Sequence, residues 1–243
     1  MYQHMSSKRL KESAKARLFR VRGITIGATA SYLGILALVQ IITTLLIPDV
    51  PEYFLLFQVI CGLFISVISG MLSAGYQCLF LKFYCGQRIQ VSDLFYGFTK
   101  NTGTFFLLSL ILAFLETVIQ MPSDYFSSML TDDLLLTNIP YQSVCYLGVT
   151  SSIAIVLIMY IKLIYSQVYY LALDFPAEKT ISLLRMSRKF MKGHKGRLFY
   201  IYASFIPLIL LSILTLGIGF LWLLPYIQAV LTEFYLDIAT HKS

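Results

Sequence analysis

The feature that most constrains this chain is a series of long apolar runs that carry almost no charged side chains. About 18 or more such residues can cross the hydrocarbon core of a bilayer as an α-helix. The final block, residues 198–238, is long enough for two helices that separate at Gly217-Ile218-Gly219. The predicted spans are residues 24–47, 53–81, 104–119, 151–173, 198–215 and 220–238. We therefore expect an all-α polytopic membrane protein. It would be a single integral membrane domain (1–243) with six transmembrane helices plus cytoplasmic amphipathic helices.

The composition agrees with a membrane protein. Hydrophobic residues make up 58% of the chain and charged residues only 13%, whereas soluble domains are about 25% charged. The net charge of +7 would suggest nucleic acid as a partner of a soluble protein, but in a membrane protein the location of the cations matters more than their sum. The four cysteines form no CxxC pair and lack nearby histidines, so we expect inert thiols and no cofactor or metal.

Cationic and acidic segments alternate along the chain. The leader, residues 1–23, carries seven cations, and the segment from Lys179 to Arg197 carries another seven. The loops after the first and third predicted spans contain no cation. Their acidic residues are Asp49, Glu52, Asp124, Asp132 and Asp133. This alternation follows the positive-inside rule and predicts that both termini lie in the cytoplasm.

Residues 176–193 are predicted to form an amphipathic helix on the inner leaflet. At about 100° per residue, its cations occupy one arc and most of its apolar side chains the other, with Ile181 as the exception. Pro176 suits the first turn, with Asp174 as a cap, and Gly193 suits the exit. Ser187 lies within the apolar arc, where its hydroxyl needs a specific partner. The candidate surface for anionic lipid head groups is Arg185, Arg188, Lys189, Lys192, Lys195 and Arg197.

Small residues recur four apart in the first two predicted spans, a pattern that allows close approach of helix backbones in a membrane. The residues predicted to pack in this way are Gly23, Gly27, Ser31, Gly34, Ser66, Gly70 and Ala74. We expect these contacts to form within the chain.

Lys162 lies within the fourth predicted span, where a charge is costly and is a functional candidate by default. Tyr165, Ser166 and Tyr169 continue its helix face as a polar seam, and Glu116 is a second charge in the third predicted span. One interpretation is a site for an anionic group or a proton step. The other is a lysine that snorkels to the interface or bonds backbone carbonyls. The estimated depths of Lys162 and Glu116 differ too much for a direct ion pair.

The chain contains no recognised catalytic motif, so we expect it not to be an enzyme. The stretch GHKG, residues 193–196, matches the GXXG loop of a KH domain, but a predicted span follows two residues later, which excludes nucleic acid. Gly217-x-Gly219 lacks the strand and the third glycine of a dinucleotide fingerprint. His4, His194 and His241 are isolated. Neither a P-loop, an HExxH motif nor a nucleophile elbow is present.

The last third of the chain resembles domain-of-unknown-function family 975. The resemblance rests on the stretches YSQVYYLALDFP, SRKFMKGHKGRLFYIYASF, LTLGIGFLWLLPY and FYLDI. It implies an integral membrane protein of a kind found mainly in Gram-positive bacteria. The family is distantly similar to membrane domains attached to some glycerophosphodiester phosphodiesterases. The resemblance implies a fold but no activity, and it assigns no catalytic residue.

These observations leave three functional hypotheses. The first is a non-enzymatic scaffold or accessory protein in envelope homeostasis, in contact with the lipid bilayer and with a membrane-protein partner such as a transporter. The alternative is a small transporter or permease that uses the polar seam around Lys162. A membrane enzyme ranks third, because the sequence brings no acid, base and nucleophile together.

Overall fold

The computed structural model describes residues 5–46, 51–135 and 141–242, and every element within these ranges is helical. This confirms the all-α class. His4 and Asp49, which entered the predictions above, lie outside the described residues. The helices are α1 (Ser7–Leu18), α2 (Arg22–Leu46), α3 (Pro51–Tyr84), α4 (Tyr96–Thr99), α5 (Thr102–Leu135), α6 (Tyr141–Tyr165), α7 (Val168–Asp174), α8 (Thr180–Phe190), α9 (Lys195–Ala203), α10 (Ile206–Leu214) and α11 (Phe220–Lys242). Short 3₁₀ turns cover Phe19–Val21 and Val91–Phe95.

Five segments of the described chain are long and apolar enough to cross a membrane. They are Arg22–Leu45, Leu56–Tyr84, Thr102–Ser128, Tyr141–Asp174 and Lys195–Leu214. The sixth predicted span, in α11, is not among these segments and is not confirmed. Its last turns contain the acidic residues Glu233 and Asp237, which lower the hydropathy of the helix.

The third predicted span is much longer than expected. We predicted that it ends at residue 119 and that a loop begins at Gln120, but α5 continues without a break to Leu135, with Pro122 inside it. The following helix begins at Tyr141, before the predicted start at residue 151. Proline removes only one backbone donor, and Met129, Leu130, Leu134 and Leu135, which follow it in α5, are strong helix formers. The predicted loop is therefore wrong as far as Leu135.

The chain forms two compact units. The first comprises Met1–Ile35, Met71–Phe105 and Leu163–Ser243, and the second comprises Leu36–Gly70 and Phe106–Lys162. The first unit contains the largest fully buried side chains, which are Tyr170, Tyr235, Phe80, Phe105, Phe205 and Phe234. The second unit instead exposes many large apolar side chains, as expected of helices that face lipid.

The turn between α10 and α11 forms where the glycines predicted it. α10 ends at Leu214, and Leu216 and Gly217 both have positive φ angles, 54° and 87°. The Thr215 hydroxyl accepts a hydrogen bond from the Gly219 amide at 3.0 Å, which closes the turn. This confirms the predicted division of the last apolar block.

The small-residue ladder of α2 does not make the close contacts predicted for it. A Cβ atom added at Gly23 or Gly34 would meet nothing within 4 Å, and one at Gly27 would meet only a Val91 side-chain carbon at 3.9 Å. The buried face of α2 lies elsewhere. It contains Thr29, whose hydroxyl lies 2.6 Å from the Tyr76 hydroxyl of α3. α2 therefore contacts α3 through the hydroxyl groups of Thr29 and Tyr76, and its glycines make no close contact there.

Two close backbone contacts of the first unit involve other glycines, at Gly75 and Gly97. A Cβ at Gly75 of α3 would lie 1.8 Å from the carbonyl oxygen of Leu94, and one at Gly97 of α4 would lie 2.7 Å from the carbonyl oxygen of Met71. The segment after α3 therefore folds back onto α3 at two points where only glycine fits. Of the residues predicted to pack, Ala74 is fully buried beside Gly75.

Candidate functional site

The basic helix α8 is shorter than the predicted helix over residues 176–193. It begins at Thr180, after an extended Lys179 that makes no side-chain cap. Pro176 lies before the helix, so its predicted place in the first turn is wrong. Asp174 ends α7 and does not cap α8. Its carboxylate instead accepts a charge-assisted hydrogen bond from the Tyr235 hydroxyl.

The two faces of α8 divide as the helical wheel predicted. Leu183, Ser187 and Met191 are fully buried, whereas Ile181 is exposed among the cations. The exposed cations of this segment are Arg185, Arg188, Lys189 and Lys192. Gly193, with a φ angle of 87°, lets the chain turn away after the helix.

Ser187 has the specific partner that its position required. Its hydroxyl donates a hydrogen bond of 2.9 Å to the Ile164 carbonyl oxygen. Ile164 lies in the last turn of α6, where carbonyl groups have no partner within their own helix. Ser187 thus satisfies a helix end and fixes the rotation of α8, which keeps the cations outward.

Arg197 is not part of this exposed surface. Its guanidinium lies 2.7 Å from the Asp237 carboxylate, and the two side chains are only 18% and 3% exposed. Arg197 also donates to the carbonyl oxygen of Met5, and Asp237 accepts from the Met5 amide at 3.1 Å. This clamp joins α9, α11 and the start of the leader. Lys195, at the first position of α9, is half-buried.

The leader forms the helix α1, which packs against α11. Leu10 and Ala14 are fully buried. Glu233 of α11 accepts a hydrogen bond from the Ser13 hydroxyl at 2.5 Å and lies 3.5 Å from the Arg17 guanidinium. This pairing was not predicted from the sequence. The signal was two acids four residues apart, Glu233 and Asp237, in a chain whose leader is basic.

A buried tyrosine cluster was also missed. Tyr170 and Tyr235 stack with their ring centroids 4.8 Å apart. The Tyr170 hydroxyl lies 2.7 Å from the Thr232 hydroxyl and accepts from the Gln228 amide at 2.6 Å. Together with the Tyr235–Asp174 hydrogen bond, this network connects α7 to α11. It positions the segment that leads into α8.

Lys162 and Glu116 form a direct ion pair, with 3.6 Å between Nζ and Oε1. Our expectation that their depths exclude a pair is therefore wrong. Glu116 lies about 19 residues, or roughly 28 Å of helix, before the end of α5 at Leu135. Lys162 lies about 21 residues, or roughly 31 Å of helix, after the start of α6 at Tyr141, so the two residues lie at similar distances from the connected ends of their helices. The depths had been judged from spans that were too short. Lys162 lies in the last turn of α6, where the helix dipole stabilises a cation.

The polar seam predicted beyond Lys162 is not continuous. α6 ends at Tyr165, and α7 begins at Val168. Ser166, in the break, donates to the Leu163 carbonyl oxygen at 3.2 Å, and Tyr169 is buried. The helix predicted to carry the whole seam is therefore interrupted between Tyr165 and Tyr169.

A cavity of about 380 Å³ opens in the first unit beside the start of α2. Its lining residues are Lys15, Leu18, Phe19, Arg22, Thr25, Ile26, Leu208, Trp222, Pro225 and Tyr226. A second cavity of about 280 Å³ shares Leu208, Trp222 and Tyr226 and is otherwise lined by residues of α10, α11 and their turn. The two cavities adjoin, and together they connect cationic side chains with an apolar groove.

The second unit contains a more polar cavity of about 260 Å³ between α2 and α3. It is lined by Gln40, Thr43, Thr44, Gln58, Cys61, Gly62, Ile65 and Ser66. Ser66, predicted to pack against a helix, therefore borders open space. Thr43 and Thr44 both donate to the Gln40 carbonyl oxygen, so their hydroxyl hydrogens are already used within α2.

The four cysteines are free thiols. Within the ranges that the structure describes, no three histidine, cysteine, aspartate or glutamate side chains gather as metal ligands.

The chain belongs to the family described as protein of unknown function DUF975, whose model matches residues 5–242. The resemblance in the last third of the sequence is thus confirmed and extends over nearly the whole chain. No curated protein and no solved structure matches this chain.

Proposed function

We propose that this DUF975 protein is a non-enzymatic accessory or scaffold protein of the bacterial cytoplasmic membrane, which holds anionic lipid on its inner face and acts with a membrane-protein partner in envelope homeostasis. The observation that carries the proposal is the orientation of α8. Its apolar face and Ser187 are buried, and Arg185, Arg188, Lys189 and Lys192 are exposed together. Such a fixed cationic face suits lipid head groups, which attract each nearby cation by about 1 kcal/mol.

We further propose that the hairpin of α10 and α11 enters the membrane without crossing it. α11 runs along the leader: Trp222 and Arg22 line one cavity, and Asp237 binds the Met5 backbone. The segment Lys195–Leu214 is long and apolar enough to cross the membrane, but the chain turns at Ser204 and Phe205, which divide the segment into α9 and α10. α10 alone has nine residues, roughly 14 Å of helix, against a hydrocarbon core of about 30 Å. Because a hairpin that enters and returns leaves the terminus on the same side, both termini remain cytoplasmic.

Reversing two charges on α8 should remove most of the bound anionic lipid. We expect the variant R185E/R188E to copurify at least about tenfold less anionic lipid relative to zwitterionic lipid, because attraction becomes repulsion at the surface. The measurement is mass spectrometry of lipids extracted from protein purified in mild detergent.

The matched control is R88E/K100E, which makes the same change in net charge at two exposed cations outside α8. It should leave the lipid ratio close to that of the original chain. Equal losses in both variants would show that net charge alone attracts the lipid, and the surface on α8 would be abandoned.

A small transporter is the second candidate, and the Lys162–Glu116 ion pair favours it. An ion pair within membrane helices can bind and release an anion or a proton. We expect the chain reconstituted in vesicles to dissipate a gradient of a small anion such as chloride or acetate, and K162M to abolish this flux. The measurement is an internal pH-sensitive or anion-sensitive dye.

The variant K162M/E116Q separates transport from structure. If the pair is structural only, each single substitution lowers the melting temperature in detergent, the double variant recovers it, and no variant changes the flux. That result would remove Lys162 as a transport residue.

A further inference from the structure

We infer that the two adjoining cavities at the α10–α11 hairpin form a binding site for one anionic phospholipid, with its phosphate at Lys15 and Arg22 and an acyl chain along Leu208 and Trp222. The site lies on α1, α2, α10 and α11 and does not include α8. The inference rests on the proposed placement of the hairpin in the inner leaflet.

The positive charge at the first cavity favours an anionic head group. Lys15 and Arg22 are both exposed cations, and none of the ten lining residues is acidic. The Arg22 guanidinium lies 3.4 Å from the centroid of the Phe19 ring, so its position is fixed by a cation–π contact. It can still present N–H groups to a phosphate, because arginine has five donors.

Lys11, the cation that precedes Lys15 in the leader, is occupied by a contact with an aromatic ring. The Lys11 ammonium lies 4.6 Å from the centroid of the Phe205 ring, and desolvation lowers the pKa of Lys11. Its backbone carbonyl oxygen lies 3.5 Å from the Tyr226 hydroxyl, a residue that lines both cavities. Lys11 therefore anchors the wall of the site, and Lys15 and Arg22 supply the charge.

The apolar half of the site requires more than a free phosphate. The second cavity is lined mainly by Leu208, Leu211, Leu223 and Trp222, with Ser212 as one of its few hydroxyl groups. The Ser212 hydroxyl already donates to the Leu208 carbonyl oxygen at 2.8 Å. A phosphate ion would leave this groove unfilled, whereas an acyl chain would cover it. The volume of the first cavity also lies in the usual range of ligand pockets, about 300–1,000 Å³.

Trp222 provides a direct test, because it is the single tryptophan of the chain and lines both cavities. The full chain is reconstituted in vesicles that contain either phosphatidylglycerol or phosphatidylcholine with brominated acyl chains, in a background of unlabelled phosphatidylcholine. Bromine quenches tryptophan on contact. We expect much stronger quenching by the anionic lipid at equal content.

Two variants make the test specific. K15E/R22E should reduce the preference for the anionic lipid by at least roughly 25-fold, since the loss of each cation alone removes about a fivefold preference and the new carboxylates repel the head group. L208F narrows the groove without changing the charge and should weaken quenching by both brominated lipids. R185E/R188E should leave the preference at Trp222 intact, so a failure of the α8 proposal is distinguishable from a failure of this one.

Equal quenching by the two lipids in the unaltered chain would overturn the inference. So would an anionic preference that persists in a folded K15E/R22E variant. If soluble glycerol phosphate abolished the preference at millimolar concentration while L208F had no effect, the site would be one for a free phosphate compound, and the phospholipid would be excluded.

Discussion

Replacing Gly75 with alanine is expected to prevent the chain from folding stably. The new methyl group would lie 1.8 Å from the Leu94 carbonyl oxygen, 2.4 Å from its carbonyl carbon and 3.0 Å from the Asp93 carbonyl oxygen. All three are backbone atoms, so no side-chain rotation relieves the clash. The Val91–Phe95 turn would have to move away from α3, and Leu94, which is fully buried, would lose its packing. We expect a loss of about 4 kcal/mol or more, in the range of severe core disruptions.

The measurement is the yield of monodisperse protein in mild detergent, together with its melting temperature. Gly23→Ala and Gly34→Ala are the matched controls, because they make the same chemical change in α2 where a Cβ meets nothing within 4 Å. Both should be neutral or slightly stabilising, since alanine favours helix over glycine by about 1 kcal/mol. A Gly75→Ala variant with the same melting temperature as the original chain would show that α3 and the turn are not in contact.

The contrast between Gly75 and the glycines of α2 shows that small-residue spacing does not identify which glycines make close contacts. Small residues spaced four apart predict that a helix face could approach another helix closely, but they do not identify the neighbour. Gly23, Gly27 and Gly34 make the better pattern, yet the close contacts occur at Gly75 and Gly97. Gly75 lies in α3 and faces the Val91–Phe95 turn, whereas Gly97 lies in the four-residue helix α4 and faces α3. Both contacts depend on how the chain folds back after α3.

Other parts of the fold were predictable because local physics determines them. The length of the apolar runs matches the thickness of a membrane. The turn at Gly217 was predictable because glycine readily adopts a positive φ angle, as it does here. The buried face of α8 follows from helical periodicity, which also indicated that Ser187 needs a partner. The identity of that partner, the Ile164 carbonyl oxygen, did not follow, because it required knowing that α6 ends at Tyr165.

Arg197 is a charged residue whose partner could not be identified from the sequence. By sequence it is one more cation in a basic segment, and we grouped it with the lipid-facing residues. Its partner Asp237 is 40 positions later, beyond the reach of any periodic pattern. Their pairing also gives the leader a fixed position, since both side chains bind the Met5 backbone. The role that follows is structural.

Replacing Asp237 with leucine is therefore expected to destabilise the protein by about 3–5 kcal/mol, the usual cost of leaving one member of a buried ion pair alone. Arg197 would keep its charge in a position where it is only 18% exposed, and the Met5 amide would lose its acceptor. R197M should cost a similar amount for the converse reason. The measurement is the melting temperature in detergent of both single variants.

The double variant R197M/D237L decides whether the pair acts as a unit. If it does, the loss in the double variant is much smaller than the sum of the two single losses, because no unpaired charge remains buried. R188M, which removes an exposed cation of α8, is the control and should change the melting temperature little. Strictly additive losses would mean that Arg197 and Asp237 act separately. In that case the clamp on the leader would have to be assigned to Glu233 and its partners Ser13 and Arg17.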